Sequence, residues 1–318
     1  MNTTNTTGSE TGQLNWLWVI PILNALIGLF LFERSWYRTR RFRENLTLST
    51  LNQHFPAYAR TDVHKWSKIC MYPCALTLLV PRVIVAAGFP FMLAVWCRIL
   101  ICCTDREQPI TGCRKWMIKF MFWAWGRSGL LLGFATLVRT REIDVDDEKV
   151  NYEEWLGPNY KEALAERKKQ KTPTSTIVMN HPGLLEIIAV VSGHLSPALC
   201  GKVELSKIPL FSALAFAVQG VFLKRGAGDA MIQQIIDRQK QIEKDKIPFN
   251  PVCIFAEGTS NNNTHLLPFK KGAFAGEYTI KPVFAKIEGC GMVSSCYDIL
   301  GFVDLVCLLI CSMSVYAC

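Results

Sequence analysis

The chain of 318 residues has little charge, since only 19% of its residues are Asp, Glu, Lys or Arg against about 25% in a typical soluble domain. Apolar residues make up 50% of the chain and its mean hydropathy is +0.19. These values exclude a disordered chain, a coiled coil and a collagen-like repeat, and they argue against a wholly soluble protein. The net charge of +9 favours an anionic surface or substrate. Nucleic acid is the weaker interpretation, because the basic residues are interleaved with long apolar stretches.

Two sequence signals of other protein classes are missing. The 13 cysteines include no C-x-x-C pair, so neither a zinc site nor a thioredoxin-like site is expected, and no metal site is predicted. No G-x-S-x-G nucleophile elbow occurs, which argues against a serine hydrolase. Because the cysteines are scattered, we expect reduced and buried thiols in a cytosolic redox environment. Typical positions within apolar runs are Cys97, Cys102, Cys103, Cys307 and Cys311.

Residues 14–32 carry no charge, and at ~1.5 Å per residue a helix over them reaches about 28 Å, close to the ~30 Å of a bilayer core. We predict a transmembrane helix here. A cleaved signal peptide is the competing interpretation, and it lacks a basic region before the run and an A-x-A-like site after it. The tail 1–13 has no Lys or Arg, whereas residues 33–74 form a basic segment. The tail is therefore expected outside the cytosol and the rest of the chain on the cytosolic side.

Residues 75–138 are predicted to hold a membrane hairpin and an interfacial helix. The apolar stretch 75–103 is interrupted by Arg82 and Arg98, which leaves too few uncharged residues for an ordinary span. We expect it to enter and leave one leaflet, with bends at helix-breaking residues. The candidates for these bends are Pro81, Gly88 and Pro90.

The run from Trp116 to Leu137 mixes aromatic residues with cations, and this mixture is typical of an interfacial helix. A helix that packs on the catalytic domain is the alternative interpretation.

Residues 139–318 are predicted to form one α/β domain, a mixed β-sheet flanked by helices, because short apolar runs alternate with amphipathic ones. The expected strands are 175–181, 220–224, 252–255 and 280–287, and the expected helices are 187–191 and one that begins at Asp229. The apolar run 299–318 is expected to be a core or membrane-surface helix, or the front of a longer one.

The chemistry-bearing residues follow the predicted strands. His181 and Glu186 lie five positions apart at a strand-to-helix turn, where a carboxylate can hold one ring nitrogen and raise the basicity of the other. A carboxylate and a glycine turn, Glu257-Gly258, follow the buried strand 252–255, and Lys224-Arg225 closes another strand. These groups suit an anionic phosphate ligand.

Four blocks in this order resemble the glycerolipid acyltransferase superfamily over roughly residues 175–287. They are Asn180-His181-x4-Glu186, Gly220 to Arg225, Phe255 to Ser260 with its continuation to Phe274, and Ile280 to Val283. The third and fourth blocks look most like the lysophosphatidylcholine and lysophosphatidylethanolamine acyltransferase branch. One departure is that Glu186 stands where the commonest first block has Asp.

The resemblance implies a glycerol-phosphate acyltransferase-like fold and a membrane-bound enzyme, with its active site on the cytosolic face of the endoplasmic reticulum. It would move an acyl group from acyl-CoA, as co-substrate and without a cofactor, to a lysophospholipid. Lysophosphatidic acid or glycerol 3-phosphate is the alternative acceptor, and a non-catalytic membrane scaffold is the alternative from another class. The implied catalytic residues are His181 and Glu186. The implied substrate-binding residues are Arg225, Glu257, Gly258, Thr259, Lys270, Lys271 and Pro282.

Overall fold

The computed structural model describes residues 16–44, 54–142, 151–169, 173–224, 226, 229–287, 291–296 and 300–313. Its helices before the sheet are α1 (Trp16–Arg38), α2 (Arg40–Glu44), α3 (Lys68–Thr77), α4 (Leu79–Leu100), α5 (Gly112–Phe134), α6 (Glu153–Leu156) and α7 (Tyr160–Lys169). The strands are β1 (Thr176–Met179), β2 (Ala198–Lys202), β3 (Val221–Leu223), β4 (Val252–Phe255) and β5 (Ile280–Val283). The helices among and after the strands are α8 (Leu185–Val191), α9 (Pro209–Ala217), α10 (Asp229–Glu243) and α11 (Phe302–Met313). Short 3-10 helices cover Pro56–Tyr58, Val63–Lys65, Val203–Lys207 and Lys271–Ala273.

The five strands form one sheet in the order β3-β2-β4-β1-β5, which confirms the α/β class. We expected a mixed sheet, but the strand pairs that the structure describes all run parallel. The sequence did not predict β2, because Ala198–Lys202 contains a glycine and a lysine and no β-branched residue.

The register of the two central strands fixes where the chemistry-bearing residues meet. Met179 of β1 lies opposite Phe255 of β4, so the residues that follow both strands leave the sheet side by side. His181 and Glu257 each follow the last paired residue by two positions. They therefore lie at the carboxyl edge of a parallel sheet, where α/β proteins build their ligand sites.

Helix α1 covers residues 16–32 of the predicted span and continues to Arg38, and residues 14 and 15 lie outside the described residues. Asn24, a polar residue in its apolar stretch, donates from Nδ2 to the carbonyl oxygens of Leu76 (3.0 Å) and Thr77 (3.1 Å) at the end of α3. Terminal helix carbonyls have no partner within their own helix, so Asn24 satisfies them and fixes α3 against the middle of α1. Within the part of the chain that the structure describes, two helices, Leu17–Arg38 and Leu79–Leu100, are long and apolar enough to cross a membrane by length and composition.

The bends expected at Pro81, Gly88 and Pro90 are not where the chain turns. The break lies at Leu78, between α3 and α4, and α4 then continues through all three residues. Pro81 lies in the first turn of α4, where its missing N–H removes no helix hydrogen bond. Helix α4 runs without interruption from Leu79 to Leu100, and its most extensive helix-to-helix contact is with α5.

Helix α5 has a packed face and an exposed face. Ile118 and Phe122 are buried in the cluster that includes Ile177 of β1, whereas Trp116 and Trp123 are exposed. One face of this helix thus packs on the α/β domain, and the exposed Trp116 and Trp123 lie on the other face.

Helix α11 packs as a core helix, with Leu305 and Leu308 buried beside α1 and α3. Its buried Asp304 forms ion pairs with Arg34 and Arg38 of α1. Cys97 and Cys307 are buried as expected, but Cys102 and Cys103 are exposed, because they follow the end of α4 instead of continuing it.

Candidate active site

The centre of the site is the pair His181 and Glu186. His181 Nδ1 and Glu186 Oε1 lie 2.6 Å apart. The Glu186 side chain is 1% exposed and the His181 side chain is 22% exposed. The imidazole therefore lies between a buried carboxylate and the solvent, and its Nε2 forms no hydrogen bond with the described residues.

The positions of both side chains follow from the local sequence. His181 follows β1, and Glu186 lies in the first turn of α8. The turn between them contains Pro182 and Gly183, and Gly183 forms an isolated antiparallel bridge with Cys296. A Cβ at position 183 would lie 2.2 Å from the Ser295 carbonyl oxygen, so only glycine allows this approach.

Phe255, the last residue of β4, forms the floor of the site. Its ring stacks on the His181 imidazole with centroids 4.4 Å apart and planes at 28°. This contact and the bond to Glu186 hold the ring from two directions, so its orientation is set before any substrate binds.

Glu257 faces into the protein. Its Oε2 accepts from the backbone N–H of His181 (3.1 Å) and from Asn261 Nδ2 (2.6 Å), and its Oε1 accepts from the Leu267 N–H (3.2 Å). The residue is 3% exposed. These contacts place Glu257 beneath the turn between His181 and Glu186, where it supports the His181 main chain, whereas the family resemblance implies a contact with substrate.

Gly258 and Lys270 form the exposed side of the third block. Gly258 has φ +73°, and a Cβ on it would lie 2.5 Å from Lys270 Nζ. The Lys270 backbone N–H donates to the Ala256 carbonyl (2.9 Å), which fixes the start of the side chain. The ammonium group thus lies directly over the glycine turn that follows β4.

Asn180 ties the end of β1 to the chain beyond β5. Its Nδ2 donates to the Ala285 carbonyl (2.9 Å) and to Asn263 Oδ1 (3.1 Å), and its Oδ1 accepts from the Ala285 N–H (2.7 Å). The residue is buried. Its side-chain amide therefore holds the loop that carries His181 against residues 263 and 285.

The other predicted substrate-binding residues lie in three different situations. Thr259 and Lys271 are exposed and follow Gly258 and Lys270 directly in the sequence. Pro282 pairs with Val178 on the edge strand β5 and is exposed. Arg225 lies outside the described residues.

Several residues of the site had no signal in the sequence. Asn261 donates its backbone N–H to the His181 carbonyl (3.0 Å), and no sequence pattern predicts this contact. Asn262 and Phe255 likewise have roles that depend on tertiary contacts. The run of three asparagines was the one available hint of a turn here, because Asn favours turns with side-chain hydrogen bonds.

Comparisons with known proteins point to one family. Residues 165–286 match the model of the Acyltransferase family. The resemblance drawn from the four sequence blocks is thereby confirmed. No solved structure matches the chain.

Three curated relatives illustrate the similarity. Lysophosphatidylcholine acyltransferase of Drosophila melanogaster is 31% identical over 113 residues, which cover 35% of this chain and 20% of that protein. Human lysophosphatidylcholine acyltransferase 1 is 27% identical over 216 residues, or 65% of this chain and 34% of that protein. Human 1-acyl-sn-glycerol-3-phosphate acyltransferase beta is 28% identical over 111 residues, or 34% of this chain and 38% of that protein. The matches thus span between about a fifth and two fifths of these relatives' length.

Proposed function

We propose that the protein is a membrane-bound O-acyltransferase that moves a fatty acyl group from acyl-CoA to the free hydroxyl of a lysophospholipid. The observation that carries the proposal is the 2.6 Å contact between His181 Nδ1 and the buried Glu186 carboxylate. When Nδ1 donates its hydrogen bond to Glu186, the lone pair of Nε2 is available on the side of the ring that faces away from Glu186. A histidine held in this way is a general base.

The reaction then needs no covalent enzyme intermediate. Nε2 of His181 takes the proton of the lysolipid hydroxyl while its oxygen attacks the thioester carbonyl carbon. The tetrahedral intermediate collapses, the carbon–sulfur bond breaks, and the CoA thiolate leaves and takes up a proton. Because a thiolate is a good leaving group, one base and donors for the oxyanion are sufficient.

The charge near the glycine turn suits an anionic substrate. Lys270 lies over Gly258, and Lys271 is exposed beside it. Both the lysolipid headgroup and CoA carry phosphate, which ammonium groups bind as point charges. Arg225 belongs to this group by the family resemblance. No resident cofactor or metal is part of the proposal.

Membrane attachment is proposed through α1 and α4, the two long apolar helices. Large apolar side chains of α1 are exposed, with Trp18 70% and Phe30 67% accessible. Monomeric soluble proteins rarely leave such continuous apolar surfaces uncovered. The exposed Trp116 and Trp123 of α5 suit the headgroup layer. The arginines after residue 32 support a cytosolic active site, and we expect the endoplasmic reticulum as the location.

The second candidate acceptor is lysophosphatidic acid. The match to the human 1-acyl-sn-glycerol-3-phosphate acyltransferase beta favours it, and it shares the glycerol phosphate and the free hydroxyl with the other lysolipids. A non-catalytic scaffold is disfavoured by the intact pair of His181 and Glu186.

The test is a panel of acceptors crossed with acyl-CoA lengths, using the full chain in phospholipid vesicles. The acceptors are lysophosphatidylcholine, lysophosphatidylethanolamine, lysophosphatidic acid and glycerol 3-phosphate, and the readout is release of the CoA thiol. We expect a lysophospholipid to give the highest rate. His181→Ala should lower kcat by about 10²–10⁴, the range of a general base.

His194→Ala is the matched control, because His194 is exposed and outside the site, and it should leave the rate unchanged. Undiminished turnover by His181→Ala would show that this imidazole is not the base. An absence of turnover with all four acceptors would favour the scaffold.

A further inference from the structure

A segment far from the catalytic residues in sequence holds the catalytic turn in place. We name residues 56–66 the clamp segment; they contain the two 3-10 helices Pro56–Tyr58 and Val63–Lys65. The sequence suggested only a basic connection between membrane elements here. In the structure, this segment contacts both loops that carry the main chain of the site.

The first contact uses a buried ion pair. Arg60 Nη2 lies 2.9 Å from Asp62 Oδ2, and the Arg60 side chain is 7% exposed. Arg60 also donates to the carbonyl oxygens of Ser294 (2.7 Å) and Cys296 (3.1 Å). Asp62 Oδ2 accepts from the Ser294 N–H (2.8 Å). Guanidinium and carboxylate together therefore grip the main chain of residues 294–296.

The gripped residues lie directly against the catalytic turn. Cys296 forms the antiparallel bridge with Gly183, and the Ser295 carbonyl lies where a Cβ of Gly183 would be. Gly183 is two residues after His181 and three before Glu186. A shift of residues 294–296 would therefore move the turn that sets the distance between the imidazole and its carboxylate.

The second contact reaches the site from the other side. Asn262 donates from Nδ2 to the carbonyl oxygens of Pro56 (2.7 Å) and Ala59 (2.9 Å), and its own N–H donates to the Ala57 carbonyl (2.9 Å). The preceding residue, Asn261, donates to the His181 carbonyl. The clamp segment is therefore linked to His181 through two consecutive residues, since Asn262 binds the segment and Asn261 binds the His181 carbonyl.

We infer that Arg60, Asp62 and Asn262 are positioning residues, and that the clamp segment completes an active site that residues 165–286 do not complete alone. Both the clamp segment and residues 294–296 lie outside the part that matches the family model. The inference rests on the proposed function, since it assigns these residues an effect on acyl transfer. They act through the turn between His181 and Glu186 and do not contact the reacting atoms.

The test uses two substitutions that remove side-chain donors of the two contacts. Arg60→Lys keeps the charge but loses the fork that reaches two carbonyls. Asn262→Asp keeps the Oδ1 that accepts from Thr264 and loses the Nδ2 donor to the clamp segment. Arg114→Lys is the matched control, because Arg114 is exposed.

The assay is CoA release by the full chain in vesicles, with the lysolipid and acyl-CoA pair that is fastest in the panel above. Misplacing a catalytic group by about 1 Å can cost roughly 10²-fold in rate. We expect kcat to fall about 10–100-fold in both variants, with each KM within about twofold of wild type, and Arg114→Lys to be unaffected.

A second measurement separates positioning from general destabilisation. If Arg60 acts through His181, Arg60→Lys should have no further effect on the residual rate of His181→Ala, because groups that act as a unit are not additive. An equal loss in both backgrounds, or unchanged kcat in folded Arg60→Lys and Asn262→Asp, would overturn the inference. An inactive wild type would instead overturn the proposed function.

Discussion

Replacement of Glu257 by Gln tests what the third block does. The carboxylate offers two acceptor oxygens to three N–H donors, whereas glutamine offers one acceptor oxygen and an NH2 group. If the amide oxygen of the glutamine points towards His181 and Asn261, its NH2 group faces the Leu267 N–H, and two donors meet. If the amide is flipped, the NH2 group faces the donors of His181 and Asn261 instead. One donor at least loses its acceptor in either case.

The magnitude follows from the hydrogen bonds that are lost. A buried donor without an acceptor costs about 1–3 kcal/mol, and the remaining bonds lose the charge that strengthened them. We expect the free energy of unfolding to fall by about 2 kcal/mol. For a domain of this size, Tm changes by about 2–4 °C per kcal/mol, so Tm should fall by about 4–8 °C.

The measurement is thermal unfolding in detergent together with the kinetics of CoA release. Because Glu257 supports the His181 main chain, we expect kcat to fall while KM for the lysolipid stays close to wild type. Glu204→Gln is the control, since Glu204 is exposed and should change stability by less than about 0.5 kcal/mol. An unchanged Tm with a raised lysolipid KM would refute the reasoning and show that Glu257 binds substrate.

Two further predictions concern the same turn and the cysteines. Gly183→Ala should lower both kcat and Tm, because its Cβ would lie 2.2 Å from the Ser295 carbonyl; activity and unfolding measurements equal to those of wild type would contradict this close approach. Burial raises the pKa of the Cys253 and Cys296 thiols above the ordinary value, so near pH 8 they stay protonated in the folded protein. Iodoacetamide, which reacts with thiolates, should therefore modify the exposed Cys113 well before these two, as followed by peptide mass spectrometry, and equal labelling before unfolding would be the contrary result.

The parts of the site that could be predicted from the sequence depend on local patterns. The apolar runs that became β1 and β4 end two residues before His181 and Glu257, and parallel strands bring their carboxyl ends to one edge of the sheet. The spacing between His181 and Glu186 crosses a single turn. The closeness of His181, Glu186 and Glu257 could therefore be predicted, because it depends only on neighbouring strands and one short turn.

The remaining parts depend on contacts between distant residues. Arg60 and Cys296 are 236 positions apart, and no periodicity or short motif relates them. The contact of Asn24 with the Leu76 and Thr77 carbonyl oxygens at the end of α3 likewise joins residues more than 50 positions apart, and no local pattern predicts it.

The electrostatics of the third block explain how an acidic residue can belong to a site for anionic lipids. An ionised carboxylate that faced the substrate phosphate would repel it. The Glu257 side chain is buried instead, and three N–H donors from the protein stabilise its charge there. The group exposed at the following glycine is the ammonium of Lys270. The acidic residue thus supports the turn from within the protein while the basic residue is exposed. Under the proposed function, Lys270→Met should therefore raise the KM for the lysolipid or acyl-CoA while leaving the fold intact.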